Sequence, residues 1–136
     1  MYKIRLELDK RTYDLQSCYY SCYNSPPSVS DSEDDYYAGS PHSMTWNVKP
    51  SKVDQELIDW CTLTRQETKS GKITISEAES NAPLKIITFQ QAFCSGFSES
   101  IDSNYDYNQS PVTITVTVQT INVRLLNAGR GITYPN

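Results

Sequence analysis

The sequence has little of the chemistry that enzymes and metal sites use. It contains one histidine, His42, and four cysteines in 136 residues. Cys18 and Cys22 form a C-x3-C pair, but Cys61 and Cys94 are isolated, so the paired knuckles of a structural zinc site are missing. A Cys–His nucleophile pair would need His42 to meet Cys61 or Cys94, which both fit buried positions. These absences favour a protein without a catalytic site or a bound metal.

Motifs for binding phosphate or calcium and for glycoside hydrolysis are missing as well. The run 129–131 is Gly-Arg-Gly but precedes no helix, so it is not a phosphate-binding loop. The acidic run 31–35 lacks the glycine and the terminal glutamate of a calcium-binding loop. No motif selects two of the sixteen acidic residues as a glycosidase pair. We therefore expect no cofactor.

Positive charge is also scarce. The 12 Lys and Arg residues are outnumbered by 16 Asp and Glu, which gives a formal net charge of -4 and a pI of about 4.9. Nucleic acids and anionic membranes are bound through clustered basic side chains, and this sequence has no such cluster. We expect no nucleic-acid partner.

Long apolar runs are absent too. No segment approaches the roughly 20 apolar residues that cross a membrane as a helix, so we expect no membrane insertion. Residues 1–11 alternate charged and aliphatic side chains and lack the apolar region of a secretory signal peptide. The sequence predicts a cytoplasmic protein whose cysteines are thiols.

What the sequence does contain is alternation of apolar and polar residues. Val112 to Gln119 alternate strictly, so one face of this strand is apolar and the other is polar. The phase then shifts, because Ile121 and Val123 stand at odd positions, and this shift predicts a bulge near Gln119 and Thr120. A bent strand with two different faces is typical of a small antiparallel barrel or sandwich.

The remaining pattern is consistent with one domain spanning residues 1–136. One helix is predicted over about 51–66, where Ser51 and Asp54 resemble a capping box. Strand-like segments precede and follow it. The predicted fold class is therefore mainly β, an antiparallel β-barrel or two-sheet sandwich with one flanking α-helix.

Residues 24–42 differ in character from the rest of the chain. They include three prolines, five serines and an acidic run, which together predict a long polar loop. Tyrosines lie in and beside the loops: Tyr23, Tyr36, Tyr37, Tyr105 and Tyr107. Tyrosines in such places are typical of contact surfaces, so a protein-contact role is the best supported by composition.

Several segments, in order and at compatible spacing, carry a resemblance to one family. They are Lys3–Asp9, the helix with Leu57 and Trp60, Lys69–Ile73, Phe89–Cys94 and Pro111–Ile121. Together they resemble the tube protein of type VI secretion systems, called Hcp or TssD, in its Bacteroidetes form. The resemblance implies a non-enzymatic structural subunit whose barrels form hexameric rings, and these rings stack into a hollow tube that carries effectors.

The resemblance also implies partners and sites. The partners are further copies of the chain and the sheath, spike and effector proteins of the apparatus, which exports the tube protein from the cytoplasm without a signal peptide. Candidates for ring stacking are Asp31, Glu33, Asp34, Asp35, Tyr36, Tyr37 and His42. Candidates for lining the lumen are Thr113, Thr115, Thr117 and Gln119. The alternative is a monomeric β-barrel module that binds a glycan or a protein.

Overall fold

A computed structural model describes residues 1–22, 42–63, 67–106 and 109–126. Within these ranges the chain forms seven strands and one α-helix, which confirms the predicted fold class. In chain order the elements are β1 Tyr2–Leu8, β2 Arg11–Ser21, β3 His42–Val48, α1 Gln55–Thr62, β4 Lys69–Glu77, β5 Pro83–Ser98, β6 Val112–Val118 and β7 Thr120–Leu125.

The sheet closes on itself. Its strand order is β4-β1-β2-β3-β6-β5, and β4 also pairs with β5, so six strands form a complete antiparallel circuit. Closure is possible because β5 is long. Its residues 93–98 pair with β6. Its residues 83–92 pair with β4 on one edge, and residues 85–90 pair with β7 on the other. The fold is a six-stranded barrel with β7 as an extra strand.

The phase shift at Gln119 has a structural cause. Strand β6 ends at Val118 and β7 begins at Thr120, so Gln119 separates two strands. The prediction of a bulge within one strand was therefore wrong. The Gln119 amide donates to the Gln90 carbonyl oxygen at 3.1 Å. Next to this contact, Gln91 has a φ of 58°, and β5 passes from β7 to β6 as its partner.

The barrel interior is the hydrophobic core. The alternating residues of β6 point inward as predicted, and Trp46 packs against Phe89 with ring centroids 5.6 Å apart. Burial of this many large apolar side chains is the main favourable term in folding. The largest fully buried side chains are Trp46, Phe89, Leu6, Met44, Leu57, Ile73, Ile87, Ile114, Val48, Val112, Val116 and Val118.

The helix is shorter than predicted. Residues Pro50–Lys52 form a 3-10 turn, and Asp54 is the N-cap, with φ of -116° and ψ of 172°. Its carboxylate accepts the Leu57 amide at 2.9 Å, so the cap assigned to Ser51 was wrong. The helix ends at Thr62, and residues 64–66 of the prediction lie outside the described residues. In the described part of the chain, no helix is sufficiently long and apolar to cross a membrane.

Candidate functional site

The polar face of β6 lies on the outside of the barrel. Thr113, Thr115 and Thr117 are half-buried there, and their neighbours on β3 are also short and polar, whereas Phe93 of β5 lies opposite Thr117. We call this surface the hydroxyl face. Its members are Ser17, Tyr19, Ser43, Thr45, Asn47, Ser95, Thr113, Thr115 and Thr117.

The register between β3 and β6 places polar residues opposite each other. Thr113 faces Asn47, and Thr115 faces Thr45. Such pairs on one face of an antiparallel sheet lie near enough for their side chains to interact. The sequence alone singled out only the β6 row. The alternation of β3 carried the same signal, because its inward residues leave the polar ones outside.

A chain of side-chain hydrogen bonds crosses three strands of the hydroxyl face. Thr113 Oγ1 donates to Asn47 Oδ1 at 2.7 Å, and Asn47 Nδ2 donates to Ser17 Oγ at 2.5 Å. The bonds orient the Asn47 amide, since its oxygen and nitrogen have different partners. This part of the face therefore has defined side-chain positions.

Strand β5 adds Ser95 to the other side of the threonine row. The pairing of β5 with β6 shifts between Cys94 and Gly96, which leaves Ser95 as the extra residue of a bulge. Ser95 Oγ donates to the Thr115 carbonyl oxygen at 3.2 Å, and Thr117 Oγ1 donates to Ser95 Oγ at 3.2 Å. The side chains of Ser17, Ser95, Thr113 and Thr117 thus each have a hydrogen-bond partner on this face.

Charge is separated from this face. None of the members of the hydroxyl face is ionisable except the exposed Tyr19. The outer side of β1 and its neighbours is charged instead, with Arg5 near Asp14 at 4.0 Å and Lys72 near Glu7 at 3.9 Å. We call those four residues the charged face. Its ion pairs are exposed, so they contribute little to stability.

The other predicted site residues do not belong to the hydroxyl face. Gln119 is exposed at the break between β6 and β7. His42, expected at the end of the polar loop, is the first residue of β3 and lies opposite Val118. Asp31, Glu33, Asp34, Asp35, Tyr36 and Tyr37 lie outside the described residues.

A polar cluster joins α1 to the barrel. Asp54 caps the helix and also accepts from the Tyr13 hydroxyl at 3.1 Å and from Arg11 Nη1 at 3.2 Å, while Arg11 Nε contacts Glu56 Oε1 at 2.7 Å. Burial of the phenol, aided by the neighbouring Asp54 carboxylate, raises the pKa of Tyr13 above its usual value. The cluster fixes the start of α1 on the barrel, so its role is structural.

Ligand-binding chemistry is sparse across the ranges that the structure describes. There, no three side chains of His, Cys, Asp or Glu are grouped as they would be around a metal ion. The hydroxyl face is uncharged, partly hydrogen-bonded within itself and carried on the strands of the barrel. Such a surface suits extended contact with other macromolecules better than recognition of one small ligand.

The sequence profile of the family described as "Hemolysin coregulated protein Hcp (TssD)" matches residues 1–129 of the chain. The chain belongs to the Hcp (TssD) family. This confirms the resemblance recognised in the separate segments, and Hcp proteins are structural tube proteins. A search of curated protein sequences gives no significant match.

Solved structures of Hcp proteins and a related tube have the same fold. Hcp1 from Flavobacterium johnsoniae superimposes with a TM-score of 0.66 at 20% identity, covering 89% of this chain and 94% of that one. Hcp1 from Salmonella typhimurium gives 0.64 at 12% identity, covering 93% and 88%. The sheath-tube complex of an extracellular contractile injection system, PVC, in its extended state gives 0.63 at 14% identity, covering 91% and 89%. At these identities the similarity establishes the Hcp barrel as the fold.

Proposed function

We propose that this chain is a structural, non-enzymatic subunit of a type VI secretion tube, in which six copies form a ring and the rings stack. The observation that carries the proposal is the family match over residues 1–129. The closed barrel supports it, since a tube subunit must keep its shape while it contacts identical neighbours on several sides.

The hydroxyl face is the part of the subunit that lines the lumen. Its side chains are uncharged and, except for Tyr19, short, and Thr113, Asn47 and Ser17 form hydrogen bonds with one another. Effectors passing over such a wall meet no fixed charge, and part of its hydrogen-bonding capacity is already used within the wall. The wall therefore holds passing cargo weakly, which is what a conduit requires.

Strand β7 provides a contact between neighbouring subunits. It pairs with β5 along one edge and stands last in the strand order, so its second edge has no partner among the described strands. Val123 and Leu125 are 40% and 54% exposed there. An open strand edge with apolar side chains favours association with another chain, and a ring covers it in every copy.

The remaining surfaces have their own partners in this proposal. The charged face, with Arg5, Glu7, Asp14 and Lys72, points away from the lumen toward the sheath. The polar loop 24–42 reaches the next ring. The spike and the effectors complete the set of partners, and the tube assembles in the cytoplasm before the apparatus exports it.

Electron microscopy of the purified full-length chain tests the assembly. We expect six-membered rings, and a reconstruction should place Thr115 on the inner wall and Arg5 on the outer wall. A strict monomer at high concentration would overturn the tube proposal and favour the alternative, a monomeric binding module. Rings with Thr115 outside would overturn only the lumen assignment.

A pair of matched variants tests the contact at β7. Leu125→Asp places a charge on the open edge, whereas Leu63→Asp places the same charge after α1, where Leu63 is 72% exposed. We expect Leu125→Asp to abolish rings and Leu63→Asp to keep them, as measured by light scattering after gel filtration. Intact rings with Leu125→Asp would exclude the β7 contact.

A further inference from the structure

A groove of about 500 Å³ crosses the outside of the barrel at β1. Strand β4 forms one side, where Ser76 lies opposite Lys3. The other side is formed by β2 and the end of β3, since Asp14 pairs with Arg5 and the Lys49 amide donates to the Asp14 carbonyl oxygen at 3.3 Å. We call this surface the basic groove. Its charged lining residues are Lys3, Arg5, Glu7, Asp14 and Lys49.

Each carboxylate of the basic groove already has a cation beside it. Glu7 Oε2 lies 3.9 Å from Lys72 Nζ. The Asp14 carboxylate lies 4.0 Å from Arg5 Nε and 3.8 Å from Lys52 Nζ, so it has two cations as neighbours. The negative charge within the groove is therefore balanced by the side chains around it.

Two cations of the basic groove, Lys3 and Lys49, have no such partner. Both are exposed, and neither forms an ion pair with a carboxylate within the part of the chain that the structure describes. Together with Arg5, Lys52 and Lys72, they place five cations around two carboxylates, on a chain whose formal net charge is -4. Because these cations come from separate segments, the sequence shows no basic run. An exposed local excess of positive charge attracts an acidic partner.

We infer that the basic groove binds the acidic run of a second copy of this chain. The run carries four carboxylates in five residues. In an extended conformation, Asp31, Glu33 and Asp35 lie on one side of the run, about 7 Å apart. Lys3 and Arg5 lie on one side of β1 with the same spacing of about 7 Å. The inference rests on the proposed function for one point, that the second copy belongs to the next ring. The run then lies on the outer wall of the tube.

The length of the chain favours a second copy over the groove of the same copy. Strand β3 runs from His42 to Val48, so about 23 Å separates His42 from Lys49. Seven peptide units join Asp35 to His42, and they span at most about 25 Å when fully extended. The run would therefore reach its own groove with almost no slack, whereas a neighbouring copy can place its groove beside the run.

Cross-linking of the native full-length chain tests the contact and identifies its partner. Unlabelled and ¹⁵N-labelled protein are mixed, concentrated together and treated with a carbodiimide, which joins a lysine amine to a carboxylate with loss of water. After trypsin digestion, we expect peptide 1–5 to be joined to peptide 12–52 through Lys3 and a carboxylate of the acidic run, located by fragmentation. Pairs of one labelled and one unlabelled peptide identify a second copy. Pairs with equal labels only, or no link, would overturn the proposal.

A synthetic peptide of residues 30–36 measures how binding depends on charge. The receptor is the full-length chain with residues 31–37 replaced by Gly and Ser, so that its own acidic run does not compete. We expect the fluorescent peptide to bind, as measured by anisotropy, and to be released in high salt. A matched peptide with Asn and Gln in place of Asp and Glu should not bind. Equal binding of both peptides would contradict recognition by charge.

Lysine variants of the same receptor locate the binding surface. Lys3→Gln and Lys49→Gln should each weaken peptide binding about threefold, the size of an exposed ion pair. Lys10→Gln is the matched control, because Lys10 lies in the turn between β1 and β2 and does not line the groove. It should leave binding unchanged. Equal losses with Lys3→Gln and Lys10→Gln would assign the attraction to the whole surface and contradict the groove.

These measurements separate the groove from the tube. Six-membered rings of a chain that neither binds the peptide nor forms the cross-link would overturn the groove and leave the tube proposal intact. Peptide binding and mixed-label links in a protein that forms no six-membered rings would overturn the tube proposal alone.

Discussion

Gly71 lies directly against the backbone of Glu7, and a Cβ atom at Gly71 would stand 2.1 Å from the Glu7 carbonyl oxygen. The Cζ atom of Phe89 would be 3.0 Å away on the other side. Gly71 pairs with Leu8 and with Phe89, in the strand that closes the barrel between β1 and β5. Close approach of these strands therefore requires a residue without a side chain.

Gly71→Ala should destabilise the barrel by about 3 kcal/mol, because backbone atoms must move to make room for the methyl group. Gly96→Ala is the matched control, since its Cβ would be 3.4 Å from Thr115 Cβ, an ordinary contact. We expect the control to cost less than about 1 kcal/mol. Urea unfolding measures both, and equal losses would contradict the role given to Gly71.

Asp54 should contribute more to the free energy of unfolding than a surface carboxylate does. Asp54→Ala removes the helix cap and leaves the Tyr13 hydroxyl without its acceptor, so we expect a loss of about 2 kcal/mol in the free energy of unfolding. Asp54→Asn keeps a side-chain oxygen for the cap and should lose less. If both substitutions destabilise equally, the charge contact with Arg11 and not the cap is the larger contribution.

The Tyr13 phenol should make stability depend on alkaline pH. Burial first, and then Asp54, raise the pKa of Tyr13 in the folded chain above 10.0, its ordinary value. The protonated phenol contributes its full stabilisation below the pKa that Tyr13 has in the unfolded chain. This contribution is lost as pH rises through that value toward the pKa of Tyr13 in the folded chain. Unfolding free energy should therefore fall less between about pH 9 and about pH 11 in Tyr13→Phe than in the native chain.

Tyr19→Phe is the control for this measurement, because Tyr19 is 67% exposed on the outside of the barrel. Its alkaline loss of stability should match that of the native chain. A Tyr13→Phe chain with the same pH dependence as Tyr19→Phe would show that other groups, such as the lysines, cause the alkaline loss.

The sequence predicted the features that depend on periodicity. The two faces of β6 follow from alternation alone. The boundary between β6 and β7 at Gln119 appears in the sequence as a change of phase, although the prediction there was a bulge. The start of α1 was misplaced because Ser51 and Asp54 are both good caps. Only the tertiary contacts of Asp54 with Tyr13 and Arg11 distinguish them.

Such patterns do not predict contacts between strands that are distant in the sequence. The hydrogen bonds from Thr113 to Asn47 and from Asn47 to Ser17 need the order β2-β3-β6, which no local signal contains. Residue types and spacing identify candidate faces, whereas closure of the barrel decides which faces adjoin.

The polar loop can be removed without opening the barrel, because its ends are already paired. Ser21 and Ser43 lie opposite each other in β2 and β3, so residues between them connect neighbouring strand ends. Deleting residues 31–37 should therefore leave the unfolding free energy within about 1 kcal/mol of the native chain. In the proposed tube, it should also leave single rings intact and abolish their stacking, as seen by electron microscopy.

A second variant separates the chemistry of the loop from its length. Replacing residues 31–37 with seven Gly and Ser residues keeps the reach of the chain but removes four carboxylates and two tyrosines. If the acidic and aromatic side chains make the contact between rings, this variant should fail to stack just as the deletion does. Normal stacking would assign the contact to other surfaces, and loss of folding would contradict the loop assignment, because paired strand ends tolerate a change in the segment that joins them.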